Sequence, residues 1–343
     1  MRKATILFNP NSGRRGRDAE LNHAIDIIQS AGIHTDLVIC HSSPEASDKA
    51  RVAAEAGSEI VFACGGDGTI SDVIQGLVGT GAALAVLPFG TANALAHDLS
   101  LPLHPGAAAQ AAIEGRVRRI PLGLVEYMDL NGKRAARYFT VAAGVGVDAH
   151  LFYALTAELK SRSGMAGYYI KAWHLWATHK MRRFEVEYLT HDGARKHALL
   201  TELLAVRIRY FGNILRELVP EASLERNDLR AVMCRTASRH AYLRYVAGVL
   251  LGRRWEITGI DLVSCSEIVC RLPKKSDGSD SNGSSVESAI EDRVYVEADG
   301  ELIGRLPARM TMVPDALSLV VPSTSVTQKS TVQRSSAQES AVP

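Results

Sequence analysis

The chain has 343 residues, 46% of them hydrophobic, and its 39 basic and 37 acidic side chains leave a net charge of +2. That apolar content suffices for two cores, and the near-balance of charge gives no reason to expect nucleic acid as a partner. Cys40, Cys64, Cys234, Cys265 and Cys270 lack any C-x-x-C pairing and no run of 18 apolar residues or basic-then-apolar start occurs, so disulfides, zinc and a membrane span are set aside and a cytoplasmic protein is expected.

Thr5 to Phe8 is a short apolar run ending in Asn9-Pro10-Asn11-Ser12-Gly13, followed by Arg14, Arg15 and Arg17. This reads as a strand running into a polar turn suited to polyphosphate; taken alone it is an ordinary turn with solvated arginines. Leu21, Ile25 and Ile28 then mark a helix, His34 to Cys40 a second strand and Pro44 to Ala56 a second helix. Ser58 to Cys64 is a buried strand by its continuous apolar character, and it runs into Gly65-Gly66-Asp67-Gly68-Thr69. Beyond that turn Ile70, Val73, Ile74, Leu77 and Val78 fall on one face of an amphipathic helix.

The pattern repeats: Ala83 to Leu87 is a strand, Pro88-Phe89-Gly90-Thr91 a turn, and a helix opens at Ala92 and carries Asn93. Glycines let backbone pass close to a bulky ligand, and the first N–H groups of a helix donate to phosphate oxygens. Alternating strands and helices up to about residue 115 indicate an α/β layered domain with a parallel sheet. In such sheets ligands sit beyond the carboxyl ends of the strands, where all three polar turns fall. There is no G-x-x-x-x-G-K-[ST] and no G-x-G-x-x-G after the first strand, which removes the Walker P-loop and the dinucleotide fingerprint.

From about Arg116 the pattern changes. Residues 137–147, 184–189, 198–210, 229–234, 255–262, 267–272, 294–298 and 310–313 read as strands without regular helices between them, an antiparallel second domain of sandwich type spanning 116–322. Two stretches, 166–183 and 240–254, mix aromatic and basic residues at helical spacing. They suit either a membrane surface or a helix packed on the sandwich with its charges in water. Residues 274–292 and 323–343 are polar and Ser-rich and are expected to be disordered. Asp299-Gly300-Glu301 is, by composition alone, a hairpin turn.

In this order and spacing, Asn9-Pro10-Asn11-Ser12-Gly13, Gly65-Gly66-Asp67-Gly68-Thr69, Pro88-Phe89-Gly90-Thr91-Ala92-Asn93 and Asp299-Gly300-Glu301 with Leu306-Pro307 resemble the soluble diacylglycerol kinase and sphingosine kinase type of lipid kinase. The resemblance runs from about residue 3 to 322. It implies an N-terminal α/β domain, a C-terminal β-sandwich, ATP in the cleft between them and transfer of the γ-phosphoryl group to a lipid hydroxyl, with Mg²⁺ on the nucleotide. Diacylglycerol or a long-chain base would be the acceptor, met by a cytoplasmic protein at the inner face of the membrane, and a homo-oligomer stays open. On this resemblance Asn9, Pro10, Asn11, Ser12, Gly13, Gly66, Asp67, Gly68, Thr69, Ile70, Ser71, Asp72 and Thr91 would contact ATP. Cys40 or His41 would stand near the nucleotide, Glu301 would accept the proton, and Asp67 would be the central carboxylate reaching Mg²⁺. One departure bears on metal: the family's P-x-A-x-L-x-D-G stretch is here Pro220 to Asn227, so Arg226 stands where bacterial members place an aspartate that binds a structural Mg²⁺. Glu225 or Asp228 could take over, Arg226 could replace the metal's charge, or the site could be impaired. An NAD kinase, which shares the GGDGT turn, and a non-catalytic lipid or nucleotide sensor of the same fold are the competing readings.

Overall fold

The structure, a computed structural model, describes residues 3–12, 17–146, 181–211, 215–216, 218–253, 256–273 and 293–323. Gly13, Arg14, Arg15, nearly all of the stretch expected as a helix at 166–183, Trp255, the 274–292 insertion and the tail beyond residue 323 lie outside them. The chain divides into two compact units, Met1–Arg119 with Leu317–Pro343, and Ile120–Ala316.

The first unit contains β1 (Lys3–Phe8), α1 (Asp18–Ser30), β2 (His34–Ile39), α2 (Ser43–Glu55), β3 (Ile60–Gly65), α3 (Asp67–Leu77), β4 (Ala83–Pro88), α4 (Ala94–Asp98) and α5 (Pro105–Ile113). Its sheet runs in the order β2-β1-β3-β4, every neighbour parallel. Ser318 and Leu319 add a further parallel pairing on β4. Alternation along each strand sends Ala4, Ile6, Phe62, Cys64, Ala83 and Ala85 into a core with Leu21, Ala24 and Ile28 of α1 and Ala108, Ala109 and Ala112 of α5. α2 and α3 pack on each other and on β1, β3 and β4. In α3 the expected stripe of Ile70, Val73, Ile74 and Leu77 is fully buried, each side chain contributing about 1.5–3 kcal/mol of transfer free energy. The chain leaves β1 for β2 on one side and returns to β3 on the other. The order therefore reverses between β1 and β3, and a crevice opens at their carboxyl ends.

The second unit is mostly antiparallel, as expected. It is built from β5 (Arg116–Met128), β6 (Arg134–Phe139), β7 (Ala142–Gly146), β8 (Phe184–Thr190), β9 (Arg195–Leu200), β10 (Glu202–Val206), the short β11 (Tyr210–Phe211) and β12 (Leu215–Arg216), β13 (Leu229–Cys234), α6 (Arg239–Leu250), β14 (Ile260–Arg271), β15 (Tyr295–Ala298) and β16 (Glu301–Val321). β15, β7, β10 and β13 are paired in that order. The two long strands serve two layers. β14 pairs β13 through Ile260–Cys265, then β16 through Glu267–Cys270 and β8 through Cys265–Arg271. β16 pairs β15 through Glu301–Arg305 and β14 through Ala308–Thr311. Strands that pass from one layer to the other at a bulge are how a sandwich turns its corners. Phe139, Val145, Phe184, Leu203, Ala231, Ile268 and Met310 fill the space between the layers.

Several boundaries differ from expectation for identifiable reasons. The run 137–147 breaks into β6 and β7 because the N–H groups of Thr140, Val141 and Ala142 donate to the Asp299 carboxylate instead of a neighbouring strand. The run 198–210 breaks at Thr201, whose N–H donates to Cys234 O at 2.8 Å and whose hydroxyl donates to Thr236 O at 2.7 Å. The two strands expected at 255–262 and 267–272 are one strand, β14, and β5 had no strand assigned to it. Helix α6 packs Tyr242 and Tyr245 inward, their hydroxyls bonded to Thr201 Oγ1 and Leu218 O, while Leu243 and Leu251 stay exposed. All five cysteines are buried and free. Among the described residues no helix is long and apolar enough to cross a membrane.

Candidate functional site

The first polar turn follows β1, and its side chains reach directly to the start of α3. Asn9 N–H donates to Cys64 O at 3.1 Å, carrying the sheet one residue further, and Asn9 Nδ2 donates to Thr69 Oγ1 at 3.1 Å. Ser12 Oγ shares a hydrogen with Thr69 Oγ1 at 3.0 Å, and Asn9 Oδ1 accepts from Asn11 N–H at 2.9 Å. The β1/β3 switch point is thus bridged by Asn9, Ser12 and Thr69. Thr69 packs over Gly65 so closely that a Cβ there would stand 2.5 Å from Thr69 Cβ.

α3 begins at Asp67, earlier than the apolar stripe from Ile70 suggests, so Asp67, Gly68 and Thr69 form its first turn. Gly66 is the N-cap residue, in extended conformation, and contributes no side-chain cap. Ile70 N–H already closes the first helical bond, onto Gly66 O at 3.1 Å. The N–H groups of Gly68 and Thr69, ahead of it in the first turn, have no intrahelical acceptor, the arrangement that receives phosphate.

The second turn packs against the first. Phe89 N–H donates to Gly65 O at 2.9 Å, and a Cβ on Gly90 would come within 2.5 Å of Gly66 Cα. Asn93 takes the left-handed conformation, with φ 48°, and closes the turn on itself: Gly90 N–H donates to Asn93 Oδ1 at 3.0 Å and Asn93 Nδ2 donates to Gly90 O at 2.9 Å. The following helix therefore starts at Ala94 and not at Ala92. Asp67 Oδ1 accepts from Ala94 N–H at 2.7 Å, so one carboxylate ties the two turns together. Burial pushes the Asp67 carboxyl above the usual range, against the pull of the backbone N–H groups of Ala94, Leu95 and Asn93. Arg17 lies over the Phe89 ring, 4.7 Å from its centroid, donates to Phe89 O at 3.2 Å and pairs with Glu20.

The expected nucleotide residues divide by what they can offer. Asn9, Pro10, Asn11, Ser12, Gly66, Asp67, Gly68 and Thr69 are gathered at the β1/β3 crevice, and Thr91 is exposed on the second turn. Two others carry buried side chains. Ile70 is buried in the core, with its N–H spent on the helix. Cys40 is fully buried, its thiol directed to Phe8 O at 3.5 Å, and burial together with Glu45 and Asp72 holds the thiol above its ordinary pKa. Neither side chain has surface to give a ligand, whereas His41, the alternative to Cys40, is exposed. Ser71 and Asp72 are buried too, and Asp72 Oδ1 accepts from Ser43 Oγ at 2.5 Å. Asp72 thus docks the start of α2 onto α3. The Gly90–Asn93 ring and the cap that Asp67 gives α4 were not foreseen; the signal for the first lay in Asn93, since asparagine favours φ > 0.

In the second unit Asp299-Gly300 is the two-residue turn between β15 and β16. Both residues have positive φ, 49° and 79°, the geometry of a type I′ hairpin. Asp299 also accepts from Thr140, Val141 and Ala142 N–H and from Thr140 Oγ1. Burial raises its carboxyl, and those amides oppose the rise. Glu301 opens β16 with its side chain 41% exposed, and Arg137 Nη2 donates to Glu301 Oε2 at 3.1 Å. Asp299 fixes the backbone, Arg137 orients one carboxylate oxygen, and Glu301 keeps access to solvent.

Among the described residues no cluster of three or more His, Cys, Asp or Glu is placed to hold a metal. Asp67 alone stands at the crevice with one oxygen already accepting from Ala94. That suits a Mg²⁺ carried in on phosphates, which needs only one or two protein carboxylates.

Residues 3–125 match the model of the diacylglycerol kinase catalytic domain, and residues 140–321 that of the YegS C-terminal NAD kinase beta sandwich-like domain. The chain is 26% identical to a diacylglycerol kinase of Bacillus subtilis over 325 residues, 94% of this chain and 97% of that one. It is also 26% identical to a diacylglycerol kinase of Mycobacterium tuberculosis, covering 93% and 95%. The crystal structure of a diacylglycerol kinase from Bacillus anthracis aligns with a TM-score of 0.65 at 16% identity, over 94% of this chain and 98% of that chain.

Proposed function

Because the chain belongs to the diacylglycerol kinase type of lipid kinase family, we propose that it transfers the γ-phosphoryl group of ATP to the hydroxyl of a membrane lipid, diacylglycerol or a long-chain base. The observation that carries this reading is the uncapped start of α3 at the β1/β3 crevice, with Asn9, Ser12 and Thr69 linked across it. Phosphoryl transfer asks mainly for positioned donors and neutralised charge. The N–H groups of the first turn of α3 bind phosphate oxygens; Asn9 and Ser12 set the position of Thr69, and the exposed Thr91 adds a hydroxyl. Asp67 would hold the Mg²⁺ that accompanies the nucleotide, and that ion would neutralise charge on the phosphates.

Glu301 is the proton acceptor in this reading. The lipid hydroxyl oxygen forms the new bond to the γ-phosphorus, its proton passes to the Glu301 carboxylate, and the bond from that phosphorus to the ADP oxygen breaks with its electron pair staying on ADP. Arg137 is a positioning residue for that carboxylate.

The test is to incubate the protein with γ-labelled ATP, Mg²⁺ and a mixed lipid extract and to identify what becomes labelled. A labelled lipid is expected. Labelled NADP⁺ from added NAD⁺, with no labelled lipid, would instead establish the NAD kinase reading, and ATP-dependent thermal stabilisation with no turnover would establish a sensor. The lipid is met at the membrane surface in this proposal, with α6 presenting Leu243 and Arg244 and the turn after it Leu251 and Arg253, all exposed. Binding to anionic vesicles that weakens as salt rises is expected in sedimentation; equal binding to neutral vesicles at low salt returns α6 to a purely packing role.

A further inference from the structure

Between Val219 and Leu229 the chain makes no regular structure, yet Ala222 is fully buried and Asp228 nearly so. A buried irregular segment must place its carbonyl groups somewhere. Here the carbonyls of alternate residues go to arginines. Arg230 donates to Pro220 O from Nε at 3.3 Å and Nη2 at 3.1 Å, and Arg209 Nε donates to Ala222 O at 3.1 Å. Arg207, 1% exposed and among the largest fully buried side chains, sits inside the loop. Its Nη2 donates to Leu224 O and to Pro121 O of β5, both at 2.9 Å, and its Nη1 to Arg226 O at 2.6 Å and Asp228 O at 3.5 Å.

The fourth arginine closes the loop through a carboxylate. Arg226 Nε meets Asp228 Oδ1 at 2.6 Å and Nη2 meets Oδ2 at 2.8 Å, a two-pronged pair on a side chain 3% exposed. Ser264 Oγ also donates to Oδ2, and His191 Nε2 stands 3.7 Å from it. Carbonyls and a carboxylate are the oxygen ligands that Mg²⁺ and Ca²⁺ take. In this loop they are already occupied by guanidinium groups, and an ion reaching Asp228 would have to displace Arg226 within a field of four positive charges. The residues present do not fit the structural Mg²⁺ that the family's aspartate would bring.

We propose that the Arg226 guanidinium stands in for a divalent cation as the charge that folds the 220–228 loop, so that the second unit holds without metal, and that Arg226 is the residue that keeps a latent oxygen-ligand site closed. The proposal is independent of the lipid kinase reading, since neither nucleotide nor turnover enters its test.

The measurement is thermal unfolding of the full chain without nucleotide, in EDTA and across a millimolar series of MgCl₂ or CaCl₂. Wild type is expected to unfold at one temperature throughout. Arg226→Gln removes the charge and should lower Tm by roughly 4–8 °C, with no divalent response. Arg226→Lys keeps the charge, loses the two-pronged geometry and falls between the two, also without response. Arg226→Asp should be the least stable in EDTA and should regain Tm with rising divalent concentration, logarithmically, as a bound ligand stabilises. A wild-type Tm that falls in EDTA and returns with Mg²⁺, in a manner lost in Asp228→Asn, overturns the proposal; so does a folded Arg226→Asp protein that ignores divalent ions. Should Arg226→Asp fail to fold, Mn²⁺ sites counted by electron paramagnetic resonance on wild type and on Asp228→Asn decide. Equal counts support the proposal, and a site lost with Asp228 overturns it.

Discussion

The crevice turns of the first unit and the 220–228 loop of the second both gather polar groups in irregular backbone, and they do so with opposite chemistry. At the crevice the packing is made by backbone: Gly66 and Gly90 nearly touch, and Asp67 is held by N–H groups of residues 93–95. In the loop it is made by long cationic side chains, and Asp228 is held by a guanidinium. The first arrangement leaves unspent N–H donors at a helix end and so has something to offer an anion. The second spends its donors on its own carbonyls. A polar turn therefore becomes a candidate site when its donors are left over, not merely when it is polar.

Asp67→Asn is the most severe way to break this comparison. The amide oxygen can still accept from Ala94 N–H, and burial already disfavours the charged form, so Tm should move little while turnover with any lipid falls to background. An Asp67→Asn protein with near wild-type kcat would remove the carboxylate from the proposed chemistry and leave it as a cap on α4. Glu301→Gln comes next. It keeps shape and the Arg137 contact through the amide oxygen but cannot take a proton, so single-turnover rate should fall on the order of 10²–10⁴-fold with ATP affinity nearly unchanged. A small loss of rate accompanied by a lower Tm would mark Glu301 as a hairpin residue only.

Gly90→Ala tests the backbone contact itself. The added Cβ would stand 2.5 Å from Gly66 Cα, so the two turns must separate, and overpacking of this kind costs about 1–3 kcal/mol. A KM for ATP raised roughly 10-fold, with kcat less affected, is expected if the second turn positions the nucleotide. An unchanged KM would confine that turn to structure.

Much of the first unit was legible in the sequence because apolar periodicity and glycine turns are local signals: the β1, β3 and β4 runs, the α3 stripe and the three polar turns all stand where the residues suggested. What was not legible depends on distant partners. Nothing near Thr140 announces that its N–H will be claimed by Asp299, 159 residues away. Arg207 lies in a run of alternating apolar and basic residues that reads as a strand with a solvated face, yet it is buried because the carbonyls of a loop beginning 13 residues later require it. Cys40 and Ile70 were placed at the nucleotide by resemblance of position, and both side chains are buried. Sequence position fixes where a backbone goes more readily than which way a side chain points.

The smallest expected effect is on the pH dependence of stability, and it separates the two ways of holding a carboxylate by sign. Burial pushes the Asp228 carboxyl up, but the hydrogen bonds from Arg226 and Ser264 and the charges of Arg226 and His191 outweigh it and hold the carboxyl below the usual range. Its stabilisation is therefore present above the unfolded-state pKa of about 3.9 and is lost as pH falls through the lower folded value. Asp299 is the reverse case. Burial dominates and raises its carboxyl despite the amides of residues 140–142 and the nearby Arg137, so its contribution is fullest below about 3.9 and is lost as pH rises through the folded value. Tm measured from about pH 3 to 5.5 should show the difference between wild type and Asp228→Asn growing with pH. The difference between wild type and Asp299→Asn should shrink over the same range. Two difference curves that slope the same way with pH would mean that the guanidinium and the amides hold their carboxylates alike, and the contrast between the two regions would then rest on geometry alone.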